Sequence, residues 1–178
     1  MSETIRLLGL DPGLRATGWG VIDVCGNRLT HVANGTVLST AKRSLADRLV
    51  EIEEGLRAVL AAHEPASAAV ETAFVARDAA AALKLGQARA IALLVPARAG
   101  LEVAEYAPNK IKKTVTGSGH ADKGQIKMMV ETLLPRCRAG SEHAADALAV
   151  AICHAHYRTV TSYLDVDLDA PGARVSRA

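Results

Sequence analysis

Apolar segments in the first forty residues predict three β-strands. They cover 5–10, 17–24 and 29–38, and Gly26-Asn27 between the last two is a hairpin signal. These three strands are therefore expected to form an antiparallel meander. Shorter apolar segments at 67–71 and 101–106 predict two further strands.

Apolar residues at helical spacing predict the helices between and after these strands. Behind the N-cap candidate Ser44, this spacing covers 44–62 and ends before Pro65. An alanine-rich helix is expected over 78–98, with a kink or an end at Pro96. The remaining helical pattern begins at Pro108, is interrupted by a glycine-rich turn at 117–119, and ends in a last helix over about 142–156.

The order of these elements predicts an α/β fold with a mixed five-stranded sheet. The hairpin strands would be antiparallel and the later ones parallel through helical crossovers, with helices on both faces. One domain is expected over residues 1–160. The apolar period is lost after Tyr163, so residues 161–178 are expected to be a flexible C-terminal tail.

Composition indicates a single globular domain that carries reduced thiols. The chain has 178 residues, of which 49% are hydrophobic and 22% charged. Its three cysteines form no C-x-x-C pair, and the charged residues near the start are unlike a signal peptide, so a cytoplasmic protein is expected. We expect no apolar segment to span a bilayer. The net charge of +2 names no partner by itself, but five lysines cluster between residues 110 and 127.

Carboxylates stand where two strands end and on one face of the last helix. Asp11 closes the first strand and Glu71 closes the fourth, and neighbouring parallel strands present such residues at one edge of the sheet. His143 and Asp146 are three residues apart and share a helical face, among alanines small enough for close approach to the sheet. We therefore expect these four side chains to converge.

Three converging carboxylates repel one another unless a cation lies between them. Hard oxygen ligands select Mg²⁺ or Mn²⁺, and a pair of such ions is a known arrangement for displacement at phosphate. Each residue taken singly also has a structural explanation. Asp11 fits a plain turn residue, Glu71 fits an ion-pair partner, and His143 with Asp146 fits a solvated helical face.

Four segments of the chain resemble the RuvC family of bacterial Holliday-junction resolvases. They are "LGLDPGLRATGWG", "VETAFVARDAAAALKLGQARA", "EYAPNKIKKTVTGSGHADKGQI" and "HAADALAVAICHAH", and they are distributed over residues 7–156 in the family's order. The resemblance implies an RNase H-like fold and a homodimer. It also implies Mg²⁺-dependent nicking of two like strands of a four-way DNA junction.

The resemblance assigns the metal-binding role to Asp11, Glu71 and Asp146. Members of the family carry either aspartate or histidine at the position of His143, so this residue is expected either to bind metal or to orient the attacking water. Two ions at each site are implied, with Mg²⁺ as the cofactor and Mn²⁺ as a substitute that also supports activity.

The resemblance also assigns DNA contacts. Phe74 matches an aromatic residue that intrudes at the junction, although the only phenylalanine of a chain would ordinarily be a core residue. Lys112 and Lys123 match basic residues beside the active site, where they would contact phosphate. The turn after Asp11 and the later Gly18 and Gly20 are expected to leave room for the nucleic-acid backbone.

The family implies cooperation with a junction-binding and branch-migrating complex of the RuvA and RuvB type. Three alternatives stay open on the sequence alone. They are a nucleotide-binding enzyme of the actin-like or sugar-kinase superfamily, a junction-binding module without catalysis, and the resolvase-like family of RNA processing. The last shares "LGLDPG" but not the segments "KLGQARA" and "HAADALA".

Overall fold

The structure, a computed structural model, describes residues 3–72 and 78–168, with side chains as far as Arg158. The strands are β1 (Ile5–Asp11), β2 (Ala16–Cys25), β3 (Arg28–Leu38), β4 (Ser67–Glu71) and β5 (Glu102–Tyr106). The helices are α1 (Leu45–His63), α2 (Ala79–Arg98), α3 (Pro108–Thr116), α4 (Lys123–Leu133) and α5 (Glu142–Leu168).

The five strands form one mixed sheet in the order β3-β2-β1-β4-β5. β2 pairs antiparallel with both β1 and β3, whereas β1–β4 and β4–β5 are parallel. The predicted arrangement of strands is therefore confirmed. The register places Asp11 opposite Gly18 and Gly18 opposite Thr36, so one row crosses three strands at the edge where β1 ends.

Helices cover both faces of this sheet, as expected. α5 packs across β1 and β2, and α3 and α4 pack against α5 in the same core. α1 and α2 cover the opposite face, where their aliphatic residues bury Leu8, Leu10 and Val70. Each strand near the centre is thus apolar on both sides, which explains why β1 and β4 are nearly continuous apolar segments.

Glycines of β1 and β2 let α5 lie directly on the sheet. A Cβ atom at Gly9 would lie 2.1 Å from the Ala147 carbonyl oxygen, and one at Gly18 would lie 2.0 Å from the His143 carbonyl oxygen. A Cβ at Gly20 would meet the Leu148 side chain at 2.7 Å. The expectation that Gly18 and Gly20 make room for nucleic acid is therefore wrong, because the space above them is filled by α5.

The last helix is longer than its sequence pattern indicates. α5 continues to Leu168, so its expected end near residue 156 is wrong. Residues 157–170 contain neither glycine nor proline, and a helix without such residues continues beyond the end of its apolar periodicity. The proposed domain boundary at residue 160 falls within α5, and residues 169–178 lie outside the described residues.

His154 fixes α5 to the two parallel strands from inside the core. Its ring is 1% exposed and lies 2.7 Å from Ser67 Oγ and 3.0 Å from the Tyr106 hydroxyl. Burial lowers the pKa of His154 to about 4, so the ring is neutral near pH 7. This residue is therefore part of the core, whereas the neighbouring His156 is exposed.

α2 departs from the expectation that no segment is long and apolar enough to cross a membrane. Within the described part of the chain it is the one helix that passes this test of length and composition. It packs on α1, β4 and β5 and buries Ala88, Ala92 and Val95 in the core. Pro96 is buried in its last turn, and the helix continues to Arg98.

We predict that Gly9→Ala lowers the free energy of unfolding by about 3 kcal/mol, because the new methyl group displaces the backbone of α5. Gly119→Ala is the matched control, since its Cβ would meet its nearest atom at an ordinary 3.7 Å. This control is expected to change the free energy of unfolding by no more than about 0.5 kcal/mol. Urea unfolding followed by circular dichroism measures both, and equal stabilities of the two variants would contradict the packing argument.

Candidate active site

Three carboxylates meet where β1 and β4 end. Leu10 pairs with Val70, so Asp11 and Glu71, the next residues of these parallel strands, emerge side by side. The first turn of α5, lying on Gly18, brings Asp146 to the same edge. Burial, together with the negative charges of Asp11 and Asp146, raises the pKa of Glu71 to about 7.

Asp11 and Asp146 are destabilised as anions in the same way. Burial is the main cause that raises the pKa of each carboxyl group. At Asp146 the negative charge of Asp11 raises the pKa as well. The side chain of Asp11 is only 17% exposed. Three such carboxylates are a set of hard oxygen donors whose repulsion a divalent cation would relieve, so the residues fit a Mg²⁺ or Mn²⁺ site.

His143 lies against the first of these carboxylates. Its Nδ1 atom is 3.0 Å from Asp11 Oδ2, and this contact works against the effect of burial on the pKa of Asp11. Within residues 3–72 and 78–168, no three histidine, cysteine or acidic side chains are already arranged as a compact metal-binding group. If Asp11 holds a divalent cation, the ion would compete with His143 for this carboxylate.

Two lysines border the carboxylates. The ammonium group of Lys112, in α3, acts to lower the pKa of Glu71. Lys123 acts in the same direction on Asp11, Glu71 and Asp146. Lys123 begins α4, and its Nζ atom lies 2.9 Å from Glu142 Oε2. Both lysines therefore lie close enough to lower the pKa values of carboxylates at this site.

Of the predicted site residues, the structure brings six into one neighbourhood. They are Asp11, Glu71, Lys112, Lys123, His143 and Asp146. The seventh, Phe74, falls in residues 73–77, which lie outside the described residues. Its role at the junction stays a prediction.

Arg89 is a supporting residue that sequence reasoning missed. From α2 its Nε atom donates a hydrogen bond to the Glu71 carbonyl oxygen at 3.3 Å, and its guanidinium group pairs with Glu105 of β5. This contact fixes the backbone that carries the Glu71 carboxylate. A signal was available in the sequence. The alanine-rich segment "GQARAIALLVPA" contains no charged residue except Arg89.

Comparison with known proteins agrees with this geometry. The family model of crossover junction endodeoxyribonuclease RuvC matches residues 7–154. The chain belongs to the RuvC family. A RuvC crossover junction endodeoxyribonuclease from Parvibaculum lavamentivorans is 65% identical over 173 residues, which are 97% of this chain and 99% of the relative. One from Mesorhizobium japonicum is 60% identical and covers 92% of this chain and 96% of its own length.

A solved RuvC structure shares the fold. T. thermophilus RuvC in complex with a Holliday junction substrate superposes with a TM-score of 0.81 at 31% identity, covering 89% of this chain and 97% of that one. The RNase H-like fold expected from the sequence is therefore confirmed. RuvC membership also implies dependence on a divalent metal, which agrees with the donor set at the sheet edge.

We predict that Glu71→Gln stabilises the metal-free protein at pH 8. The folded-state pKa of Glu71 is raised above its ordinary value of 4.5 to about 7, so its contribution to stability falls as the pH rises from about 4.5 through 7. Removing the charge should gain about 1–2 kcal/mol, or roughly 2–8 °C in Tm. At pH 5, where the folded state binds the proton, the gain should shrink.

Calorimetry in EDTA measures this difference, with Glu54→Gln on the exposed surface of α1 as the control. Addition of Mg²⁺ is expected to raise the Tm of the wild type more than that of Glu71→Gln, because the ion binds the folded state. A Glu71→Gln protein less stable than the wild type at pH 8 would contradict the electrostatic argument.

Proposed function

We propose that this chain is a metal-dependent endonuclease that resolves four-way DNA junctions by cutting two strands of like polarity. The observation that carries the proposal is the convergence of three half-buried, mutually repelling carboxylates beside two lysines. This convergence occurs in a chain whose relatives, aligned over nearly its whole length, are crossover junction endodeoxyribonucleases.

The proposed metal ligands are Asp11, Glu71 and Asp146, with His143 as a further ligand or as the residue that positions the attacking water. Two ions are proposed for each site, with Mg²⁺ as the cofactor and Mn²⁺ as a substitute. When bound, the ions activate water and stabilise the negative charge of the leaving oxygen. The fixed backbone at Glu71 keeps its carboxylate aimed at the sheet edge, which limits rearrangement as the cation binds.

Lys112 and Lys123 are proposed to contact the scissile phosphate. A pentacoordinate phosphorus transition state carries more negative charge on its oxygens than the ground state, and positioned ammonium groups stabilise that increase. Phe74 is proposed to insert at the junction and hold bases unstacked. A protein with these roles acts on chromosomal DNA in the bacterial cytoplasm, together with a branch-migrating complex of the RuvA and RuvB type.

An exposed apolar stripe on α2 supports the proposed homodimer. Leu83 and Leu94 are 65% and 48% exposed and are eleven residues apart, which is close to three helical turns. The exposed residues between and after them on this stripe are also small and uncharged: Gly86, Ala90 and Ala97. Two copies joined symmetrically through this stripe would present two matched sites to a two-fold junction.

We predict that Leu83→Glu weakens self-association, because it replaces the most exposed large apolar side chain of the stripe with a charge. The control is Lys84→Glu, which alters a neighbouring exposed position off the stripe. Sedimentation velocity at micromolar concentration is expected to show a dimer for the wild type and the control. A shift toward monomer is expected for Leu83→Glu, and an unchanged sedimentation coefficient would exclude this stripe as the interface.

We predict paired symmetric nicks when fixed and mobile four-way junctions are incubated with Mg²⁺ or Mn²⁺. Asp11→Asn should lower the cleavage rate at least roughly 10²-fold, because it removes a ligand and a charge from the reacting centre. Glu54→Gln should cut like the wild type. Denaturing gels of end-labelled strands measure the nicks.

The same reactions, run on native as well as denaturing gels, separate two of the alternatives. A junction that is shifted on a native gel but stays intact with either metal would indicate a binding module without catalysis. Cleavage of structured RNA in preference to the junction would favour the RNA-processing family. Either result would contradict the proposed function.

A further inference from the structure

We propose that the groove between β3 and residues 138–141 is a second DNA subsite, which binds a backbone phosphate of the strand that passes through the active centre. The inference rests on the proposed function and extends it. The groove has a volume of about 530 Å³ and is open to solvent. It is bordered on one side by Thr36 and on the other by Arg138 and Ser141.

The groove continues the edge at which the carboxylates meet. Asp11, Gly18 and Thr36 occupy one row of the sheet, so Thr36 lies two strands from Asp11, which is roughly 10 Å. Ser141 precedes His143 by two residues, and Ala144 of the first turn of α5 also lines the groove. A DNA strand whose scissile phosphate lies at the carboxylate edge would therefore place a neighbouring backbone phosphate near the groove.

The two hydroxyl groups in the groove, of Thr36 and Ser141, leave one O–H free to donate a hydrogen bond to a ligand. Thr36 Oγ1 and Ser141 Oγ are 2.8 Å apart, and Ser141 Oγ also accepts the Ala144 N–H at 3.1 Å. One hydroxyl proton serves the bond between the two side chains, whichever residue donates it. The other hydroxyl proton is then available to a phosphate oxygen.

Arg138 supplies the positive charge from a fixed backbone. Asn34 Nδ2 lies 2.8 Å from His31 Nε2 and donates to the Arg138 carbonyl oxygen at 3.4 Å, which ties the loop to β3. Burial lowers the pKa of His31, so its ring is neutral near pH 7 and accepts the amide proton. The Arg138 residue itself is exposed.

The charges around the groove favour an anion. Of the described residues that line it, none is acidic, and Arg138 carries the full positive charge. Glu142, the nearest acidic residue along the chain, is engaged by Lys123. An arginine and a hydroxyl donor on a polar, open surface are the groups that position a nucleic-acid backbone.

The test compares Arg138→Ala with the control Arg28→Ala. Arg28 is also exposed, but it lies at the end of β3 opposite to the groove. Thr36→Val is added because it removes the hydroxyl and keeps the shape of the side chain. For each variant, kcat/KM on a four-way junction is measured with Mg²⁺, and junction affinity is measured in EDTA as a function of salt. Thermal unfolding checks that every variant is folded.

We expect Arg138→Ala to lower kcat/KM about 3–10-fold and to reduce the salt slope of binding by about 0.7–0.9. Thr36→Val should lower kcat/KM by a smaller factor, Arg138→Lys should restore part of the loss, and Arg28→Ala should match the wild type. Equal values for Arg138→Ala and Arg28→Ala, with the wild type cutting normally, would overturn this subsite and leave the proposed function intact. A wild type that cuts no junction would overturn the proposed function, and the subsite with it.

Discussion

The contact of α5 with the glycines of β1 and β2 is the constraint on which the rest of the structure depends. Gly9 and Gly18 admit the backbone of the helix to distances that no side chain would allow. The same contact carries His143 and Asp146, from the far end of the sequence, to the strand ends that bear the other two carboxylates. Packing density and active-site geometry are therefore set by one interface.

The site itself opposes folding, and the core around it compensates. Burial raises the pKa of all three carboxyl groups, so each is costly as an anion in the metal-free protein. His154 links α5 to β4 and β5 through Ser67 and Tyr106, and Arg89 fixes the end of β4 from the other face. These contacts hold α5, β4 and β5 in fixed positions, so the acidic side chains stay together despite their repulsion.

The sequence was sufficient for the strands and for the convergence of Asp11, Glu71 and Asp146, because strand ends and helical spacing are local patterns with fixed geometric consequences. It misled at Gly18 and Gly20, since a glycine that admits a helix and one that admits a ligand look the same in a sequence. The length of α5 was also missed, because helix propensity continues where the apolar period stops. Arg89 stands out in the sequence as a charge in an alanine-rich segment, but its partner, the Glu71 carbonyl oxygen, is set by the packing of α2 against β4 and cannot be read from that segment.

The most direct test of the central claim is anomalous diffraction from crystals grown with Mn²⁺. The account predicts anomalous density bounded by the side chains of Asp11, Glu71 and Asp146, with the His143–Asp11 hydrogen bond lengthened or replaced by coordination. Crystals of Glu71→Gln should show weaker density there or none. Manganese bound elsewhere on the protein, with the three carboxylates left without an ion at saturating metal, would contradict the account.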